Sequence, residues 1–125
     1  MGVIHFHYHY RKDVPAEIAE QAITLAPRQK IKLTRRILEE GKIDRIRVFK
    51  PSGQKLTCPI RVFHNGVQIL PDRGYYFLED QSETIPIGRD CLKGEGITVE
   101  ASNFDEYNER SIGVDVIIVP KPKKE

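Results

Sequence analysis

Two short apolar-alternating runs, Ile60-Arg61-Val62-Phe63-His64 and Val67-Gln68-Ile69-Leu70, are separated only by Asn65-Gly66. A two-residue connection between such runs calls for an antiparallel hairpin. The type I′ turn that suits it needs positive φ at both central residues, which Asn and Gly tolerate best. This step pairs two strands and weights the rest of the chain toward β structure.

The other segments follow the same period of two. Val3 to Tyr10 places Ile4, Phe6, Tyr8 and Tyr10 on one face and Val3, His5, His7 and His9 on the other. Lys30 to Arg35 alternates as a strand, although Thr34 to Glu40 before Gly41 also suits a helical turn closed by glycine. Ile43 to Lys50 reads as a strand ended by Pro51-Ser52-Gly53, and Pro59 to His64 as the next. Tyr75 to Leu78 and Thr84 to Ile87 are short β-rich runs, with Pro86 marking the second as an edge strand or strand end. Ile97 to Ala101 alternates cleanly. Ser111 to Val119 carries Ile112, Val114, Val116 and Ile118 on one face and further apolar residues on the other, as a strand covered on both sides would. Residues 14–25 fit a short helix or a strand end before Pro27, and a loop leading into a strand is the expectation. No internal repeat and no second domain stands out.

About eight short strands spaced by Gly, Pro and Asn predict an all-β domain, a two-sheet antiparallel sandwich of jelly-roll type. The domain is expected to span residues 1–119, followed by a flexible basic tail at 120–125. A chain of 125 residues can bury one core without disulfide or metal staples. Cys58 and Cys91 lack any Cys-x-x-Cys spacing and are read as reduced small hydrophobes. No apolar run is long enough for a membrane span, and the start lacks the pattern of a signal peptide, so a soluble chain made in the cytoplasm is expected.

The net charge of +2 argues for neither nucleic acid nor membrane, but the charge is unevenly spread. Residues 28–50 hold nine Lys/Arg against three acids, or +6, and residues 72–109 hold ten acids against three bases, or −7. Two readings fit: solvated faces that pair inside one chain, or a contact between subunits, basic side to acidic side. Arg28, Lys30, Lys32, Arg35 and Arg36 against Asp105, Glu106 and Glu109 are the candidate interface. Lys30, Lys32 and Arg36 would face one way on a strand, yet no aromatic residues interleave with them to stack bases, which speaks against nucleic acid.

Chemistry-bearing patterns are few. His5-x-His7-x-His9 would put imidazoles about 6.5–7 Å apart along one strand face, but a metal site needs further ligands from elsewhere. An exposed or interface-facing histidine row is the simpler reading. Neither cysteine sits in a glycine-rich elbow beside a base, and Asp105-Glu106 and Glu79-Asp80 read as solvating groups. There is no P-loop, dinucleotide glycine pattern or zinc spacing, and no cofactor is expected.

The order Gly41-Lys42-Ile43-Asp44-Arg45-Ile46-Arg47-Val48, Pro51-Ser52-Gly53, Ile60-Arg61-Val62-Phe63, Gly66, Gln68-Ile69-Leu70-Pro71, Ile97 to Asn103 and Val114 to Val119 resembles small jelly-roll structural proteins of tailed viruses that decorate or cement capsids. The basic segment 28–36 and the loop 102–111 depart from that pattern. The resemblance implies a non-catalytic assembly module of the virion that self-associates, a trimer being favoured, and binds the viral coat protein. Two other readings stay open: a carbohydrate- or ligand-binding sandwich with exposed aromatics near Tyr75, Tyr76 and Phe77, and a cupin-like metal enzyme using His5, His7 and His9.

Overall fold

The computed structural model describes residues 6–9, 23–50 and 57–121. Among them are nine strands and no helix: β1 (Phe6–His9), β2 (Ile23–Leu25), β3 (Lys30–Arg36), β4 (Gly41–Phe49), β5 (Ile60–His64), β6 (Val67–Leu70), β7 (Ser82–Cys91), β8 (Gly96–Ser102) and β9 (Arg110–Pro120). One sheet has the order β1-β9-β4-β7, with β2 also on β9; the other runs β3-β8-β5-β6. Every pairing is antiparallel except β1 on β9.

The hairpin forms as its chemistry demands: Asn65 and Gly66 take φ of 50° and 87° and join β5 to β6. No other consecutive strands in the second sheet are neighbours. β3 pairs with β8, from Lys30↔Ser102 to Arg36↔Gly96, and β8 then pairs with β5.

Period-two alternation fills the space between the sheets. Ile46 and Val48 of β4 and Ile112, Val114, Val116 and Ile118 of β9 meet Ile60 and Val62 of β5 and Ile97, Val99 and Ala101 of β8, all of them buried. Ile43 belongs to the same core although it lies three residues before Ile46. A bulge between Ile43 and Arg45 absorbs the extra residue and keeps both isoleucines inside. Cys58 and Cys91 are buried free thiols, and burial pushes Cys58 up to about 12, which makes it a poor nucleophile.

Several expectations meet a different outcome. Tyr75 to Leu78 is not a strand; it returns past the end of β6 and makes one bridge, Tyr76 to Ile60. Gln68 fixes the turn that precedes it, its side-chain amide donating to the carbonyls of Pro71 and Gly74 at 2.8 and 3.0 Å. β7 is ten residues long and carries Pro86 on the edge of its sheet, where a missing N–H costs no ladder bond. Residues 37–40 form no helical turn: Ile37 bonds through both its N–H and its carbonyl to the 94–95 turn. β9 runs on to Pro120, and the Lys121 N–H donates to the Glu40 carbonyl at 3.0 Å. Residues 1–5, 10–22, 51–56 and 122–125, with His5 and most of the segment 14–25, lie outside the described residues.

A short repeat is also present, contrary to the reading of the sequence. Ile46-Arg47-Val48-Phe49 recurs as Ile60-Arg61-Val62-Phe63, and the copies fall on β4 and β5, one in each sheet. In both, the aliphatic pair is buried while the arginine points outward over the ring two residues on, at 4.6 Å for Arg47 on Phe49 and 5.5 Å for Arg61 on Phe63.

Phe49 lies opposite Gly113, and a Cβ at Gly113 would run into the Phe49 ring. Gly113→Ala is expected to lower unfolding stability by about 1–3 kcal/mol through forced displacement of that ring. A urea melt checks it, and an unchanged midpoint would show that the ring moves freely.

Candidate binding surfaces

The outer face of the second sheet is organised by a carboxylate. Glu100, in the middle of β8, points away from the core yet is 1% exposed. A buried carboxylate is tolerated only when cations and hydrogen bonds surround it. The register supplies them: Lys32 of β3 and Arg61 of β5 stand directly opposite Glu100 on either side. Arg61 donates to Oε1 from Nε at 2.8 Å and from its terminal nitrogen at 2.5 Å, while the Lys30 and Lys32 ammonium groups approach to 3.9 and 3.6 Å.

Arg61 is held from a second direction by rings. Its guanidinium lies 4.8 Å from the Tyr75 ring centre, and Tyr75 meets Phe104 edge-on at 5.4 Å. Phe77 is 6.4 Å from Phe104. Tyr75, Phe77 and Phe104 remain 37%, 41% and 49% exposed, so three rings from two loops form an open aromatic cluster beside a fixed cation. Tyr76 points the other way, its hydroxyl donating to Glu83 at 2.7 Å.

The loop that carries Phe104 is rigidly built. The Asn103 side-chain amide reaches the carbonyls of Leu25, Ala26 and Asn108 at 2.9–3.1 Å. Asp105 accepts from the N–H groups of Tyr107 and Asn108 and pairs with Arg110 at 2.5 Å. Those N–H groups and the guanidinium hold its carboxyl well below the usual carboxylate range.

The charged residues chosen from the sequence are thereby divided. Arg28 pairs with Glu106 at 3.3 Å inside one chain, Asp105 is taken up by Arg110, and Lys30 and Lys32 serve Glu100. Glu109 is exposed near the same end. Arg35 and Arg36 sit at the opposite end of β3, where Arg36 donates to the Gly94 carbonyl at 2.9 Å. Glu100, Arg61 and Phe104 were missed; the repeated Ile-Arg-Val-Phe was the signal that could have singled out Arg61.

A second surface lies at that opposite end. Glu40, Asp44, Asp90, Lys42 and Lys121 surround a cleft of about 630 Å³ whose apolar wall is Leu92, Val119 and Pro120. Leu92 and Val119 are 56% and 48% exposed. Beneath it, buried His64 links the sheets. Its Nδ1 accepts from Arg89 of β7 at 2.7 Å, and its Nε2–H donates to Glu95 at 2.9 Å, which also accepts from the Leu92 N–H at 2.6 Å. The turn bearing Leu92 is therefore fixed in place.

Among the described residues no three His, Cys, Asp or Glu side chains converge as metal ligands. The backbones of His7 and His9 lie opposite Asp115 and Ile117. No helix of the described residues is long and apolar enough to cross a membrane. No family model, curated protein or solved structure matches the chain.

A carboxylate with a depressed folded-state pKa stabilises the fold above its unfolded value, about 3.9 for aspartate, and that contribution disappears as pH falls below it. Asp105→Asn is expected to be less stable than wild type at pH 7 and to lose less on acidification. Urea midpoints measured at neutral and acidic pH test this, and parallel pH profiles for the two proteins would contradict it.

Proposed function

We propose that this chain is a non-catalytic assembly module of jelly-roll type that self-associates through the end of the sandwich bearing Leu92 and Val119. The jelly-roll reading is supported by the strand orders β2-β9-β4-β7 and β3-β8-β5-β6, in which successive strands pass repeatedly from one sheet to the other. β1 is then an added ninth strand.

The observation that carries the assembly reading is the apolar wall of Leu92, Val119 and Pro120 left open beside a rim of both charge signs. An apolar wall of this kind, rimmed by polar groups, is a surface that a second copy would take out of water. Glu40 and Lys121 pair with each other and Asp44 pairs with Arg45, which leaves Asp90 and Lys42 on the rim for a second copy to answer. Arg35 and Arg36, at the same end of β3, extend it. The resemblance to capsid-decorating proteins gives the setting: a trimer on the virion, bound to viral coat protein, with no turnover.

A second reading, a ligand-binding sandwich, is favoured by the open cluster of Tyr75, Phe77 and Phe104 on a different surface.

Light scattering after size exclusion is expected to give a discrete oligomer without added ligand. Leu92→Glu, which alters a side chain outside the core, is expected to reduce it to a monomer that keeps the β-sheet circular dichroism spectrum and whose melting temperature no longer depends on protein concentration. A monomeric wild type, or an oligomer indifferent to Leu92→Glu, would overturn the proposed interface.

A further inference from the structure

The aromatic and cationic face of the second sheet has features that self-association at the far end leaves unused. Arg61 is oriented before any ligand arrives. Two of its nitrogens are committed to Glu100, and its plane lies over Tyr75. Its third nitrogen has no bonding partner among the described residues, and the side chain keeps 26% exposure. A guanidinium fixed in this way can receive a second carboxylate without losing further side-chain entropy.

The charge of the face selects for anions. Arg61, Lys30 and Lys32 bring three positive charges around the single carboxylate of Glu100, leaving an excess of two. Lys30 and Lys32 are more than half exposed and stand two residues apart on one strand, a spacing of about 6.5–7 Å that can meet successive charges on an extended polymer. Beside this cationic row lie the exposed rings of Tyr75, Phe77 and Phe104, which offer apolar contact to a flat C–H surface.

Base stacking is less well served: Arg61 covers one face of Tyr75, and Phe104 meets that ring at an interplanar angle of 79°, so the rings do not line up as parallel platforms. A pyranose ring carrying a carboxylate matches both halves of the face, its C–H surface on the rings and its acid group on Arg61 and the lysines.

We infer that the outer face of the second sheet binds an acidic polysaccharide of the uronate class, with Arg61, Lys30 and Lys32 receiving carboxylates and Tyr75 and Phe104 packing against the sugar. This rests on the ligand-binding reading and is independent of the oligomer interface.

The test is affinity electrophoresis of the full chain in native gels containing polygalacturonate, dextran or poly-glutamate. Retardation by polygalacturonate is expected, with affinity falling about tenfold in Tyr75→Ala and again in Lys32→Gln, the scale of one lost contact. Tyr75→Ala removes no partner of Glu100, and Lys32→Gln leaves Arg61 bonded to it; a urea melt of each variant separates lost binding from lost fold, and Arg61→Gln, which would strand the buried carboxylate, serves only as a stability comparison.

Retardation by dextran alone would overturn the uronate assignment while leaving ligand binding intact. Equal retardation by poly-glutamate, unaffected by Tyr75→Ala, would reduce the face to a non-specific polyanion surface and overturn the inference. No retardation by any of the three would overturn both the inference and the ligand-binding reading.

Discussion

A carboxylate on the middle strand of a sheet and shut off from water has to be answered by cations on both flanking strands, and Glu100 imposes this on the second sheet. Lys32 of β3 and Arg61 of β5 stand opposite it. Sliding either strand by one residue would turn the answering side chain toward the core and leave the acid unpaired. The register that satisfies Glu100 is also the register that sends Ile97, Val99 and Ala101 inward against Ile60 and Val62. Polar and apolar demands therefore select the same alignment, and that agreement between levels makes one structure preferred over its slipped alternatives.

The first sheet repeats the device. Asp115, 2% exposed on β9, is approached by Arg47 of β4 at 3.4 Å, and Arg47 lies over Phe49 as Arg61 lies over Phe63. The shared Ile-Arg-Val-Phe segment thus does the same work twice: two aliphatic residues fill the core, the arginine answers an acid on the next strand, and the phenylalanine supports the arginine. The difference lies in what surrounds each copy. Around Arg61 the loops add Tyr75, Phe77 and Phe104, and a structural ion pair becomes part of an open surface.

Charge is likewise settled inside the chain before any of it reaches a partner. The basic segment 28–50 and the acidic segment 72–109 meet through Arg28 and Glu106 and through the lysines on Glu100. What remains outward is local: a cationic excess at the aromatic cluster, and a rim of both signs around Leu92 and Val119. The two surfaces lie at opposite ends of the strands and make different demands on a partner.

Much of this was legible in the residues alone. Asn65-Gly66 dictated its hairpin through backbone φ, Pro86 marked an edge, and period-two alternation named the inward residues of β8 and β9, because these are properties of a few consecutive residues. Partner choice was not legible. Hydrophobic burial rewards any covered face without specifying which strand covers it, and here the chain crosses between sheets so often that β3 finds β8 nearly seventy residues away. The aromatic and cationic face needed the same long-range step. Arg61, Tyr75 and the Glu100–Phe104 stretch come from three segments distant in sequence, and only the tertiary packing made a buried acid, a fixed guanidinium and a ring cluster into one surface.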